Sequence, residues 1–151
     1  MPSRLLSAVL FLAGTAATLH GGTTDARLEK IAVEPVTTSI YIGYVKLTTP
    51  TFARAGDDYT ASYQATVFPF FFWGEHGELT IEASAQDLQR LERGETVEFK
   101  GHAKNSDGET RPIEGRAVPQ DATRGKLKVR VFVSSRIQLI FNTTYRFVGG
   151  S

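Results

Sequence analysis

The residues best suited to chemistry lie in a few short stretches. In HGELTIE, His76 and Glu78 are two positions apart, so on a strand both side chains point the same way and can share a metal ion. A structural zinc site needs about four protein ligands and a catalytic one about three. Only Glu75, Glu98 or His102, brought in by folding, can complete such a set, and no local spacing supplies it. The expectation is therefore no metal and no cofactor. The chain contains no Cys, and Ser134 and Ser135 sit in a tight turn, outside any G-x-S-x-G context and with no histidine near in sequence. Nothing local activates a nucleophile. Carboxylates spaced as Glu75 with Glu78, or Glu92 with Glu95, fit surface charge better than the acid and base of a glycosidase. The sequence leans away from an enzyme, with a secreted hydrolase as the weakest alternative.

Binding chemistry has two better candidates. The first is VFPFFFWGEH, Val67 to His76, in which Phe68, Phe70, Phe71, Phe72 and Trp73 precede an abrupt polar turn. Pro69 has no N–H for a ladder bond, so the strand ending at Phe68 must stop, bulge or lie at an edge. Read as extended chain, Phe70 and Phe72 face one way and Phe71 and Trp73 the other. The plainest account is core filling, because large aromatics dominate ordinary cores. Two others stay open: the wall of a pocket for an apolar or aromatic small molecule, or an exposed patch that meets a membrane or a protein partner such as an envelope protein. Ligand or partner contact is accordingly expected from Phe70, Phe71, Phe72, Trp73, Glu75 and His76. Phe71 and Trp73 are expected to be the more exposed pair, since Trp73 abuts Gly74-Glu75-His76 and its indole N–H wants a polar neighbour. The second candidate is a basic face, Lys126, Lys128 and Arg130, with Arg136 and Arg146 near it on the next strand. It reads as a solvated sheet face that discourages edge aggregation, with an anionic envelope polymer as the functional option. Lacking interleaved aromatics apart from Phe132, it does not suggest an oligonucleotide.

The elements that must position these residues have period two. Candidate strands are Leu28 to Val33, Ser39 to Thr48, Asp58 to Phe68, Glu78 to Ala83, Thr96 to Lys104, Thr110 to Val118, Lys126 to Val133 and Arg136 to Phe147. Turn chemistry separates them at Ala55-Gly56-Asp57, Asn105 to Gly108, Asp121 to Gly125 and Ser134-Ser135. In KLKVRVFV, Leu127, Val129, Val131 and Val133 share a face opposite Lys126, Lys128 and Arg130. In RIQLIFNTTYRF, Ile137, Leu139, Phe141, Tyr145 and Phe147 do the same. SAQDLQRLERG breaks the pattern: Ser84 as N-cap, Asp87 three residues on, Leu88 and Leu91 on one face and Gly94 as terminator predict a helix over 85–93. The fold expected is all-β and mainly antiparallel, a β-sandwich or small closed barrel of about eight strands with that one helix. A single β-rich domain spans 27–147, and 148–151 form a flexible tail.

Residues 1–19 differ in kind. Arg4 and the terminal amine precede an apolar run, Leu5 to Leu19, of fifteen residues with Gly14, Thr15 and Thr18 inside it, shorter than the ~20 a membrane helix needs. Small residues at Ala13, Ala16 and Ala17 suit cleavage between about 16 and 22, so a signal peptide and export are expected. A cysteine-free exported chain suits a bacterial envelope, in the periplasm or outside the cell. Loss of Arg4 takes the basic count from 17 to 16, equal to the 16 acidic residues. A neutral domain gives no reason to expect nucleic acid, or membrane association once the signal is gone. The segment FNTTYRF, with Phe141, Tyr145 and Phe147 alternating, resembles the closing strand of bacterial outer-membrane β-barrels. That resemblance implies, as an alternative, a small outer-membrane barrel. Pro112, Pro119 and the capped helix fit a soluble domain better, and a non-catalytic binding or structural accessory role in the envelope is the function expected.

Overall fold

The computed structural model describes residues 26–148. Residues 1–19, where a signal peptide is expected, and residues 149–151 lie outside that range. Ten strands form one sheet: β1 (Lys30–Val33), β2 (Val36–Ile40), β3 (Gly43–Thr48), β4 (Phe52–Ala55), β5 (Asp58–Phe68), β6 (Glu75–Glu82), β7 (Val97–Asn105), β8 (Thr110–Pro119), β9 (Arg124–Phe132) and β10 (Gln138–Phe147). Every pairing is antiparallel, and eight strands close on themselves in the order β1, β4, β5, β6, β7, β8, β9, β10. The fold is a small closed barrel rather than a sandwich. The β2–β3 hairpin extends the wall from the upper half of β5, and β2 packs beside β10 without joining its ladder.

Closure abolishes the free edges of a sheet and gives each strand one face toward the axis and one toward solvent. The alternation in β9 and β10 falls as the sequence requires. Leu127, Val129, Val131, Leu139, Phe141, Tyr145 and Phe147 point inward, and Lys126, Lys128, Arg130, Asn142 and Arg146 point out. The helix α1 (Ala85–Glu92) also forms as expected. The Asp87 N–H donates to Ser84 Oγ and the Ser84 N–H donates to Asp87 Oδ2, each at 3.1 Å, closing a capping box. Leu88 and Leu91 are buried beneath it, so α1 floors one end of the barrel together with Leu28.

One local expectation needs correction. Ser39 to Thr48 is not one strand but the β2–β3 hairpin, turning at Tyr41 and Ile42 onto Gly43, whose φ is +107°. Only glycine enters that conformation cheaply, and a Cβ there would overlap the Phe68 carbonyl oxygen. The short strand β4 carried no separate expectation. It forms because Phe52 fills the lower core and the Arg54 guanidinium lies against the Tyr59 ring, 4.8 Å from its centroid.

Candidate functional site

The end of the barrel opposite α1 is open. Around it lie the β2–β3 turn, the segment 69–74, the β7–β8 turn and the β9–β10 turn. Inside is a cavity of about 830 Å³ running from the mouth to Leu88 and Leu91 of the floor, walled almost wholly by aliphatic and aromatic side chains. Its presence shows in the wall itself. Phe99, Leu127, Val129, Val131 and Leu139 point at the axis yet are only half-buried, because the lumen beside them is not filled by other side chains. The interior of an eight-stranded barrel is wide enough to be filled by side chains or to hold one small ligand. Small inward residues that line it leave room here: Ala65, Ala103 and Ala117. Gly115 lets the Phe99 ring lie across β8, where any Cβ would collide with that ring.

The mouth is aromatic. Phe68 ends β5, and Phe71–Trp73 form one turn of 3-10 helix, the Trp73 N–H donating to the Phe70 carbonyl oxygen at 3.0 Å. This corrects the extended geometry expected for the run. A 3-10 turn spreads successive rings around about three directions instead of two, and the expected split into pairs fails. Phe71, Phe72 and Trp73 are 63%, 78% and 59% exposed, and Phe70 is half-buried. Phe71 and Trp73 are exposed as expected, but Phe72 joins them. Core filling is overturned for these three, while Phe70 packs on the upper core around Val45, Val67 and Phe141. The rings touch one another in two groups. Tyr44 stacks on Phe68 at 5.1 Å and Phe68 meets Phe71 edge-on at 5.8 Å; Phe70 meets Trp73 at 4.5 Å and Phe72 meets Trp73 at 5.4 Å. Phe70 and Trp73 also line the cavity, and exposed Tyr41, Ile42 and Ile137 continue the rim across the mouth.

One polar cluster interrupts the apolar wall just inside the mouth. Glu75 opens β6 and Arg111 is the second residue of β8. The Arg111 guanidinium grips the Glu75 carboxylate with both edges, Nε donating to Oε1 at 2.9 Å and Nη2 to Oε2 at 2.8 Å. Tyr63 donates its hydroxyl to Glu75 Oε1 at 3.0 Å, and Asn105 Nδ2 donates to Oε2 at 3.3 Å. Bidentate, charge-assisted geometry of this kind is the strong form of an ion pair. Hydrogen bonds from Arg111 come first among the causes that hold the Glu75 carboxyl below its usual range, while burial opposes them. Burial, then the bond to Glu75, pushes the Tyr63 phenol up. Sequence reasoning named Glu75 but not Arg111, Tyr63 or Asn105.

The other expected site residues do not join this cluster. His76, beside Glu75 in sequence, points to the outer wall, as does Glu78. Among the described residues no three His, Asp or Glu side chains are grouped to hold a metal ion. Lys126, Lys128 and Arg130 line the outside of β9, opposite Val118, Arg116 and Glu114 of β8. Compared with protein-family models, with curated proteins and with solved structures, the chain has no significant match to any of them.

Proposed function

We propose that this protein is a non-catalytic carrier that holds an apolar small molecule inside the barrel and exchanges it through the aromatic mouth. The observation that carries the reading is an apolar lumen of about 830 Å³, open at one end, inside a wall whose outer face is charged. Ligand sites for small molecules fall in the range of roughly 300–1,000 Å³ and are mostly apolar with few polar groups. Phe70 and Trp73, shared between rim and lumen, are the side chains a ligand meets on entry. The address is part of the proposal: Arg4, the short apolar run and the small residues after it argue for export to a bacterial envelope.

The alternatives have less support. A membrane-spanning barrel turns an apolar band outward, whereas Glu98, Lys100, Glu114, Arg116, Lys128 and Arg130 occupy the outer wall here. A hydrolase using Glu75 with His76 meets two obstacles: the two side chains lie on opposite sides of the wall, and Arg111 keeps Glu75 ionised and unfit as a general acid. Docking of the rim on an envelope protein is the second reading, favoured by the solvent exposure of Phe71 and Phe72 beyond the lumen.

The test is titration of the purified chain with a neutral naphthylamine dye that fluoresces only in apolar surroundings. Carriage predicts saturation at one dye per chain, loss of the signal on unfolding, and displacement by a long-chain alcohol. Absence of saturable binding by the folded protein refutes the proposal.

A further inference from the structure

Resting on the carrier reading, the geometry points to an uncharged amphipath as ligand: an apolar body in the lumen, and a hydroxyl or carbonyl head at the Arg111–Tyr63 cluster inside the mouth. Hydrogen-bonding capacity at the cluster selects the head group. Arg111 has five N–H donors. Nε and one on Nη2 go to Glu75, the other on Nη2 reaches Glu109 Oε2 at 3.4 Å, and one on Nη1 goes to the Val133 carbonyl oxygen at 3.0 Å. That leaves a single Nη1 donor. The Glu75 carboxylate, taking two bonds from Arg111 and one each from Tyr63 and Asn105, has no shortage of donors. Asn105 Oδ1 is held by the N–H groups of Asp107 and Glu109. What the cluster still offers an incoming molecule is one donor on Arg111 and the acceptor lone pair of the Tyr63 hydroxyl. An alcohol satisfies both and a carbonyl the first.

Charge decides against an anion. Glu75 cancels Arg111 within the wall, and Glu109 adds a second carboxylate on the same guanidinium. A ligand carboxylate entering here loses water and meets the half-buried Glu75 carboxylate, with Glu109 beside it largely in solvent and screened, and no uncommitted buried cation, which favours its neutral form. The other guanidinium lining the cavity, Arg136, is solvent-exposed at the rim, where an ion pair contributes little. Asp87, at the floor, is committed to the cap of α1.

The experiment is displacement of the naphthylamine dye from the full chain by three probes of equal chain length, dodecanol, dodecane and dodecanoic acid, at pH 7.5. The expected order is dodecanol tightest, with the acid weaker by about tenfold or more, and the acid gaining affinity as pH falls toward its own pKa. Glu75→Gln keeps the shape and releases the Arg111 charge, so it should invert the order, the acid becoming the tightest. An acid that binds the natural chain as tightly as the alcohol overturns the inference. So does an alcohol no tighter than the alkane, or an order that Glu75→Gln leaves unchanged. Should Glu75→Gln fail to fold, the order measured on the natural chain decides by itself. Loss of dye binding altogether is a different failure, that of the carrier reading.

Discussion

Alanine at Phe72 separates a rim from a core. At 78% exposure, about a fifth of the Phe72 surface is covered, and covering a whole Phe side chain contributes about 1.5–3 kcal/mol. Phe72→Ala should therefore cost roughly 0.3–0.7 kcal/mol, and Trp73→Ala, more covered and in contact with Phe70, about 1 kcal/mol. Phe141, 2% exposed at the centre of the upper core, should lose about 3–5 kcal/mol on the same change. The assay is urea denaturation followed by far-ultraviolet circular dichroism, with equal slopes required so that midpoints report stability. Dye affinity, measured on the same samples, should fall for Trp73→Ala, which lines the cavity, and hold for outward-facing His76→Ala. A loss above 2 kcal/mol for Phe72→Ala would mean that its ring is packed, and the rim as described would be wrong.

Gly43→Ala should cost more than about 2 kcal/mol, adding overlap with the Phe68 carbonyl to the strain of a positive φ, whereas Gly56→Ala, with open space around its Cβ position, should cost about 1; thermal melts of the two variants compare them. Because Arg111 lowers the folded-state pKa of Glu75, that carboxylate contributes stability that is present above the unfolded carboxyl pKa and lost as pH falls through the lower folded value. Stability below about pH 4.5 should therefore decline less steeply in Glu75→Gln than in the natural chain, as read from urea midpoints across pH. Burial raises Tyr59 and Tyr145 to about 12, so the stability they contribute is whole below their unfolded value and is lost as pH rises through 12. Absorbance at the tyrosinate band should show those two rings, and Tyr63 with them, ionising late or only with unfolding, and early, reversible ionisation of all five tyrosines would contradict their burial.

Much of the barrel was legible because alternation in strands such as β9 and β10 is a local property, as are the cap at Ser84 and the stop at Gly94. The β2–β3 turn was missed for a physical reason: Tyr41 and Ile42 are strand-forming residues, and only Gly43 marks the reversal, where its positive φ and the close approach of the Phe68 backbone require glycine. An inward alternating face looks the same whether the interior is solid or hollow. The available sign of a lumen was the set of alanines on that face, Ala65, Ala103 and Ala117, whose meaning appears only once the strands are in register. The Arg111–Glu75 pair spans 36 positions and follows from the meander of β6, β7 and β8, not from any spacing. In the aromatic run, composition marked the place, but exposure depended on the chain curling into a 3-10 turn at an open barrel end.

Carriage inside the barrel is tested most directly by two neighbouring residues of β9 that point to opposite sides of its wall. Val129 faces the lumen and Lys128 faces solvent. Dye titration of Val129→Trp and Lys128→Trp, each first confirmed folded by circular dichroism, places the same ring in the cavity or outside it. If the ligand sits in the lumen, Val129→Trp weakens dye binding about tenfold or more while Lys128→Trp binds as the natural chain does. Equal binding by the two variants would contradict that placement, because the dye would then be held somewhere other than the interior.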